Sequence, residues 1–322
     1  MFPKRFRVLS PAGLEYEAAI DEIRSVVSIS FDLQREDPMM QTSVSGKAPM
    51  IASESGHLFI KPRVNGSEPG WFAFDTGAAV TIISRELAAT AAPAVVGTRS
   101  LAGGGAKVLI GNLRRMARFE VGPLIIENLL CMEAPDAGIL LQFAALLDEP
   151  VVGIVGWDVL IRTIAELDFA QSTLILHDPS SYQLEGGVWQ RLALHHKHPF
   201  LRGRLEGDHE GWFCIDSGAG KIPLMIHSSA VQRWDLLRGR ETEDAMAAGV
   251  GGAVRFRIGT LKWVEVTDQR FEQPVVLFAE QESGALSDDY TDGTLGSAFF
   301  ENRILILDYA GSRFALLPKS PD

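Results

Sequence analysis

The chain has 322 residues, 46% of them hydrophobic, which allows a large buried core and suggests two lobes of ordinary domain size. Thirty Lys and Arg against 41 Asp and Glu give a formal charge of −11 with no long basic run, so the phosphate-binding surface that nucleic acids need is not expected. Two cysteines, Cys131 and Cys214, exclude a disulfide framework, and no segment reaches the ~20 apolar residues that span a bilayer.

In chain order, Met1–Arg7 has the charge of a signal peptide's first region, but Pro11, Glu15, Glu17 and Asp21 interrupt any apolar stretch behind it. As written the sequence reads as cytoplasmic, with a periplasmic location open if the true N-terminus differs. Residues 1–56 read as an N-terminal extension, of which 1–50 match nothing later, with a short helix about Tyr16–Arg24 and a strand-like Ser25–Asp32. A tying strand, a removable pro-segment and a cap are all open roles for it.

A first lobe, residues 57–180, begins with Leu58–Val64 running into Asn65-Gly66, a hairpin signal, and returns through Trp71–Asp75. Val80–Ile83 reads as strand, and Ser84 as the N-cap of a helix Arg85–Ala92. Gly103, Gly104 and Gly105 tip a hairpin; a phosphate loop would need a helix directly after it, whereas Lys107–Ile110 continues as strand. Strands about Gly122-Pro123, a helix Ile139–Leu147, an apolar strand Val151–Gly156, a short Trp157–Ile161 segment and strands ending at Asp168 and Leu176 follow.

A second lobe, residues 181–322, repeats this order: Phe200–Leu205, a turn Gly207–Gly211, Trp212–Asp216, a helix Ser229–Leu237 and a second glycine segment, Gly249–Gly252. Trp71–Ala78 returns 141 positions later as Trp212–Ala219, and the pairs Gly156/Asp168 and Gly296/Asp308 return at an offset of 140. A period this long with matched internal spacing indicates a duplicated domain, not a solenoid. The expected architecture is mostly β: two homologous, closed-barrel-like lobes about a pseudo-two-fold axis, with few short helices.

Each copy is an apolar strand that ends in Asp, then Thr or Ser, then Gly. Delivering a carboxylate from a buried strand is costly, and a chain that does so twice is expected to use the two charges together. On Asp75-Thr76-Gly77, Asp216-Ser217-Gly218 and the triplets Ile154-Val155-Gly156 and Thr294-Leu295-Gly296, the chain resembles the aspartic proteases, and among them the retropepsin-like bacterial group with two lobes on one chain. The resemblance spans about residues 57–318.

The resemblance implies that Asp75 and Asp216 meet as the catalytic pair, that Thr76 and Ser217 brace the two loops, and that Gly77 and Gly218 let the backbone turn. It makes Gly103–Gly105 the flap over an extended peptide or protein substrate, and Gly249–Gly252 its relic or partner. Two close carboxylates share one proton, one acting as general base to water and the other as general acid, with no metal or cofactor needed. Both halves lie on one chain, so a monomer suffices. The second loop departs from the pattern: Ile222 and Pro223 stand where the first has Thr81 and Ile82, and Lys221 replaces Val80. Lys221 is open to three readings: tuning the pair, entering the cleft or pointing to solvent.

Competing readings are turn carboxylates bound to backbone N–H groups, and a weak or inactive peptide-binding relative. His195, His196 and His198 are the histidine cluster to weigh as a zinc site, but neighbours on a strand face opposite ways and no Cys or carboxylate stands at ligand spacing. Arg114, Arg115 and Arg118 read as a solvated strand face, Trp71 and Trp212 as core, and neither Ser84 nor Ser217 has a histidine partner visible in sequence.

Overall fold

The computed structural model describes residues 5–9, 15–19, 40–41, 46–267 and 269–319. The chain divides into two compact units, Met1–Met39 and Met40–Asp322. In the first unit the strands Arg5–Leu9 and Glu15–Ala19 pair antiparallel, with Val8 opposite Tyr16. This corrects the helix expected from Tyr16: pairing with a neighbouring strand overrides the helix preference of Glu and Ala there. Ser25–Asp32 lies outside the described residues.

The second unit is built on three sheets. One belongs to the first lobe and runs, from edge to edge, Val95–Leu101, Leu109–Val121, Leu124–Glu133, Ile82–Ile83, Val151–Val155, Trp71–Phe74, Leu58–Ile60 and Met50–Ala52. The second lobe repeats the order with Glu243–Gly249, Gly252–Thr260, Val275–Ala279, Met225–Ile226, Gly293–Leu295, His209–Ile215 and His198–Leu205. Its long hairpin is broken into two pieces, the outer being Trp263–Val266 with Gln269–Glu272. The first-lobe counterpart, Leu109–Val121 with Leu124–Glu133, is continuous.

Local chemistry accounts for these elements. Asn65 and Gly66 both have positive φ, 50° and 83°, the signature of a two-residue turn that matches strand twist. Val151–Val155 is almost wholly buried between Ile82–Ile83 and Trp71–Phe74, which is why it reads as an unbroken apolar run. Ser84 caps the helix Arg85–Ala91 by accepting from the Leu87 N–H at 3.1 Å. The other α-helices among the described residues are Gly138–Leu147, Trp157–Leu160 and Ser228–Arg233, the last ending four residues before the expected Leu237.

The third sheet joins the lobes. Its order is Gln190–Arg191, Arg313–Pro318, Arg303–Asp308, Ile164–Asp168, Thr173–His177 and Gly46–Ala48. At its centre Glu166 faces Ile306, with Ile164 opposite Asp308 and Asp168 opposite Ile304. Since Glu166 and Ile306 are equivalent under the 140-residue offset, the pseudo-two-fold axis passes between them. Gly46–Ala48 and Met50–Ala52, which the sequence alone leaves in the extension, are thus strands of the lobed body.

The main core runs through both lobes and includes Phe72, Phe74, Phe119, Phe213, Phe278, Phe300 and Tyr309, all buried. A second cluster in the first lobe (Ala73, Val80, Ile82, Met132, Ile139, Ile154) answers to a smaller one in the second (Met225, Val254, Phe256, Ala279, Leu286). Among the described residues no helix is long and apolar enough to cross a membrane.

Candidate active site

Both Asp loops leave the C-terminal end of a strand held by a parallel neighbour. Trp71–Phe74 lies beside Val151–Val155, and the Asp75 N–H continues the ladder by donating to the Val155 carbonyl at 3.0 Å. In the second lobe His209–Ile215 lies beside Gly293–Leu295, and the Asp216 N–H donates to Leu295 at 2.9 Å. Each loop then turns on its own carboxylate: the Gly77 N–H donates to Asp75 Oδ1 and the Gly218 N–H to Asp216 Oδ1, both at 2.8 Å.

The loops cross at the axis. The Thr76 N–H donates to Ser217 Oγ at 3.0 Å, and the Ser217 N–H to Thr76 Oγ1 at 2.9 Å. Each hydroxyl donates onward into the opposite strand, Thr76 Oγ1 to the Ile215 carbonyl at 3.1 Å and Ser217 Oγ to the Phe74 carbonyl at 2.7 Å. Both residues are buried, so this four-bond exchange satisfies groups that have no access to water.

The exchange brings the carboxyl groups of Asp75 and Asp216 into a shared hydrogen bond. Each carboxyl lies against the glycine of the other loop. A Cβ at Gly77 would stand 2.5 Å from Asp216 Cγ, and one at Gly218 2.5 Å from Asp75 Oδ2, so only glycine leaves room for the pair. Burial raises both carboxyls above their ordinary range, Asp75 well above it, where the negative charge of Asp216 adds to the burial. Such a pair keeps one proton between its two members at pH values where isolated carboxylates have lost theirs.

The support around the two loops is unequal. The Thr81 N–H donates to buried Asp158 at 2.8 Å, and Thr81 Oγ1 accepts from the Gly156 N–H at 3.2 Å. Lys197 Nζ of the second lobe lies 3.8 Å from Asp158 and 4.0 Å from the centre of the Trp157 ring. Burial outweighs the attraction within this pair, raising the Asp158 carboxyl and lowering the Lys197 amine. The corresponding second-lobe positions hold Ile222 and Ala298, which can make neither bond. Buried Tyr309 donates from its hydroxyl to the Thr76 carbonyl at 2.8 Å, and its counterpart Phe169 has no hydroxyl.

The glycine segments tip the hairpins Val95–Leu101/Leu109–Val121 and Glu243–Gly249/Gly252–Thr260, and the tips meet. The Gly105 N–H donates to the Val250 carbonyl at 2.8 Å, the Lys107 N–H to Gly251 at 3.3 Å, and the Ala285 N–H to Gly103 at 3.0 Å. Val250 joins the apolar cluster of Ala78, Val80 and Ile154 beside the Asp75 loop. Gly249–Gly252 is therefore a full counterpart of the first tip rather than its remnant.

Several sequence expectations need correction. Arg114 is not solvated: its Nε donates to Glu133 at 2.8 Å and its Nη1 to the Ala92 and Pro93 carbonyls, with both side chains nearly buried. A carboxylate on the paired strand draws it inward. Trp71 and Trp212 are half-buried rather than core, and Lys61 lies over the Trp71 ring at 4.4 Å. Lys221 is exposed, and its N–H donates to the Ser55 carbonyl at 2.7 Å. His195 and His196 stack edge-on 4.2 Å apart near Tyr290. His198, the cross-strand partner of His195, reaches the Gly77 carbonyl. Among the described residues no group of three or more His, Cys, Asp or Glu could hold a metal ion.

Sequence reasoning passed over Tyr309, Asp158 and His57, and weighed His198 only as a metal ligand. His57 and His198 carried a usable signal, since they stand 141 positions apart like the two Asp residues.

No curated protein sequence matches the chain significantly. The family model described as aspartyl protease matches it twice, over residues 60–159 and 201–299, one match for each lobe and together more than half of the chain. With a repeated Asp loop, an exchanged hydroxyl grip and paired glycine-tipped hairpins in the matched segments, the chain belongs to the aspartyl protease family.

Proposed function

We propose that the chain is an endopeptidase in which Asp75 and Asp216 hydrolyse peptide bonds. The observation that carries this reading is the seating of each carboxyl against the other loop's glycine, in a shared hydrogen bond and with both groups raised by burial. One carboxylate removes a proton from water as the oxygen attacks the scissile carbonyl carbon, while the protonated partner donates to the carbonyl oxygen. The tetrahedral diol then collapses as a proton passes to the amide nitrogen and the C–N bond breaks. Which Asp holds the proton at the outset is a property of the pair.

The substrate is an extended peptide or protein segment lying under the joined tips of Gly103–Gly105 and Gly249–Gly252. The tips must part to admit it. A monomer suffices, and the charge of −11 argues against a nucleic-acid partner. A weak or inactive peptide-binding role is the second reading, favoured by Ile222, which leaves the second loop without the hydroxyl that Thr81 supplies to the first.

Hydrolysis of a fluorescence-quenched peptide library by the wild type, Asp75→Asn and Asp216→Asn decides between them. Each substitution is expected to lower turnover about 10²–10⁴-fold, the double variant being no worse than either single one, because either change already breaks the one-proton unit. Activity should follow a bell in pH, lost on the acid side when both carboxyls are protonated and on the alkaline side when both are ionised. The alkaline limb should lie above the ordinary carboxylate value of 3.8, since burial holds the shared proton. Wild-type turnover in either single variant would falsify the dyad and leave the binding role.

A further inference from the structure

Each lobe sends a hairpin turn across to the other lobe's Asp loop. In the first lobe the turn is Ser53–His57, between Met50–Ala52 and Leu58–Ile60. Its Ser55 carbonyl accepts from the Lys221 N–H, and its Gly56, with φ 76°, lies against Lys221 and Ser297. In the second lobe the turn is His196-Lys197, between Ala193–His195 and His198–Leu205. Gly56 and Lys197 are equivalent under the 141-residue offset and share the left-handed conformation, Lys197 at φ 73°. A non-glycine pair at positive φ (His196 is at 49°) is strained, and such strain persists where surroundings fix it. Here Asp158 and Trp157 hold Lys197.

The residue after each of these positions is a histidine, and both imidazoles make the same reach. His57 meets the carbonyl of Gly218 and His198 the carbonyl of Gly77. Those glycines are the ones whose N–H groups hold Asp216 and Asp75. We propose that His57 and His198 are positioning residues for the reaction at Asp75 and Asp216: each, carried by one lobe, fixes the glycine on which the other lobe's carboxyl rests, and so sets the separation of the pair. This rests on the proteolytic reading and deepens it.

The chemistry suits imidazole. Ser55 Oγ lies 2.8 Å from His57 Nδ1, leaving Nε2 for the carbonyl, while Phe143 packs edge-on at 5.7 Å and the Gly220 backbone closes the other side. Arg99 and His196 face His198. Burial lowers both imidazoles, His198 to about 4, so each is a neutral N–H donor. A Lys or Arg in its place would set a permanent cation beside the dyad and drive off the shared proton.

Ala and Gln variants at both positions test this, with kcat and KM on the peptide library and a ¹³C carboxyl titration of the Asp pair in labelled protein. Ala at either position is expected to lower kcat about tenfold with KM within about twofold, and to move the pair's titration. Gln, whose amide can reproduce the Nε2 donor, should restore both. Should an Ala variant fail to fold, Phe supplies bulk without a donor and is expected to behave as Ala. Wild-type kcat and an unmoved titration in the donorless variants, or Gln no better than Ala, overturns the proposal. A wild type that cleaves no peptide overturns the proteolytic reading instead, while the titration still decides whether the histidines position the pair.

Discussion

The two Asp loops share their inner bonds and differ in their outer ones. Thr76 and Ser217 exchange equivalent hydrogen bonds, and Asp75 and Asp216 hold equivalent turns. Around them, the first loop also has the Thr81 hydroxyl, buried Asp158 and the Tyr309 hydroxyl, where the second has Ile222, Ala298 and nothing from Phe169. Contacts at the axis are common to both halves because each carboxyl needs the other loop's geometry. Contacts away from the axis serve one loop at a time, and a duplication on one chain lets them diverge.

The grip offers the largest stability test of the shared part. Thr76→Val strands the Ser217 N–H and the Ile215 carbonyl, and Ser217→Ala strands the Thr76 N–H and the Phe74 carbonyl. Each should cost about 2–4 kcal/mol by denaturant melting, and the two costs should agree to within about 1 kcal/mol. A large inequality would mean that the grip is not symmetric in energy.

Electrostatics tests the buried pair as a unit. A carboxyl raised on folding contributes stability that is complete below its unfolded value, near 3.8, and is lost as pH rises through the folded value. Asp75→Asn and Asp216→Asn should therefore gain in melting temperature over the wild type as pH rises above about 4, with each tenfold rise in proton affinity on folding worth about 1.4 kcal/mol. A gain in neither variant would show that burial does not raise the pair.

The two hairpin tips give an effect of intermediate size. A Cβ at Gly105 would run into the Gly251 and Gly252 backbone, whereas one at Gly104 meets Val254 at 3.3 Å and Leu286 at 3.5 Å. Gly105→Ala is expected to lower peptide turnover about tenfold with the fold retained, and Gly104→Ala by less than about threefold. Similar rates in both variants would show that the tips need not meet. Smallest is Tyr309→Phe, which removes one bond to the Thr76 carbonyl and should cost about 1 kcal/mol in thermal or urea melts. The reverse change, Phe169→Tyr, should bring no matching gain.

Much of this was legible in the chain. The repeat offset placed both carboxyls and the grip residues, and the repeated order of elements placed the glycine tips, because each belongs to a local pattern that occurs twice. The Asn65-Gly66 turn and the Ser84 cap were legible for the same local reason. What escaped depends on partners distant in sequence: the Tyr309 hydroxyl reaches a carbonyl 233 residues away, and Arg114 is drawn inward by Glu133 on the paired strand. The pairing of His57 with His198 escaped although they recur at the same offset, since neither lies in the Asp motif and their shared reach appears only where one lobe's turn meets the other's loop.

The six-stranded sheet between the lobes has a consequence for chain continuity. Its first-lobe strands, Ile164–Asp168, Thr173–His177 and Gly46–Ala48, end before the exposed connection around Ser180, Ser181 and Val188, and its second-lobe strands all lie after it. The seam between the two sets is a five-residue antiparallel ladder backed by buried Ile164, Leu167, Leu305 and Leu307. A nick in that connection severs the covalent link without removing a sheet strand or a loop of the dyad. The two fragments are then complementary halves of a heterodimer, each carrying one aspartate that has no partner until the halves dock.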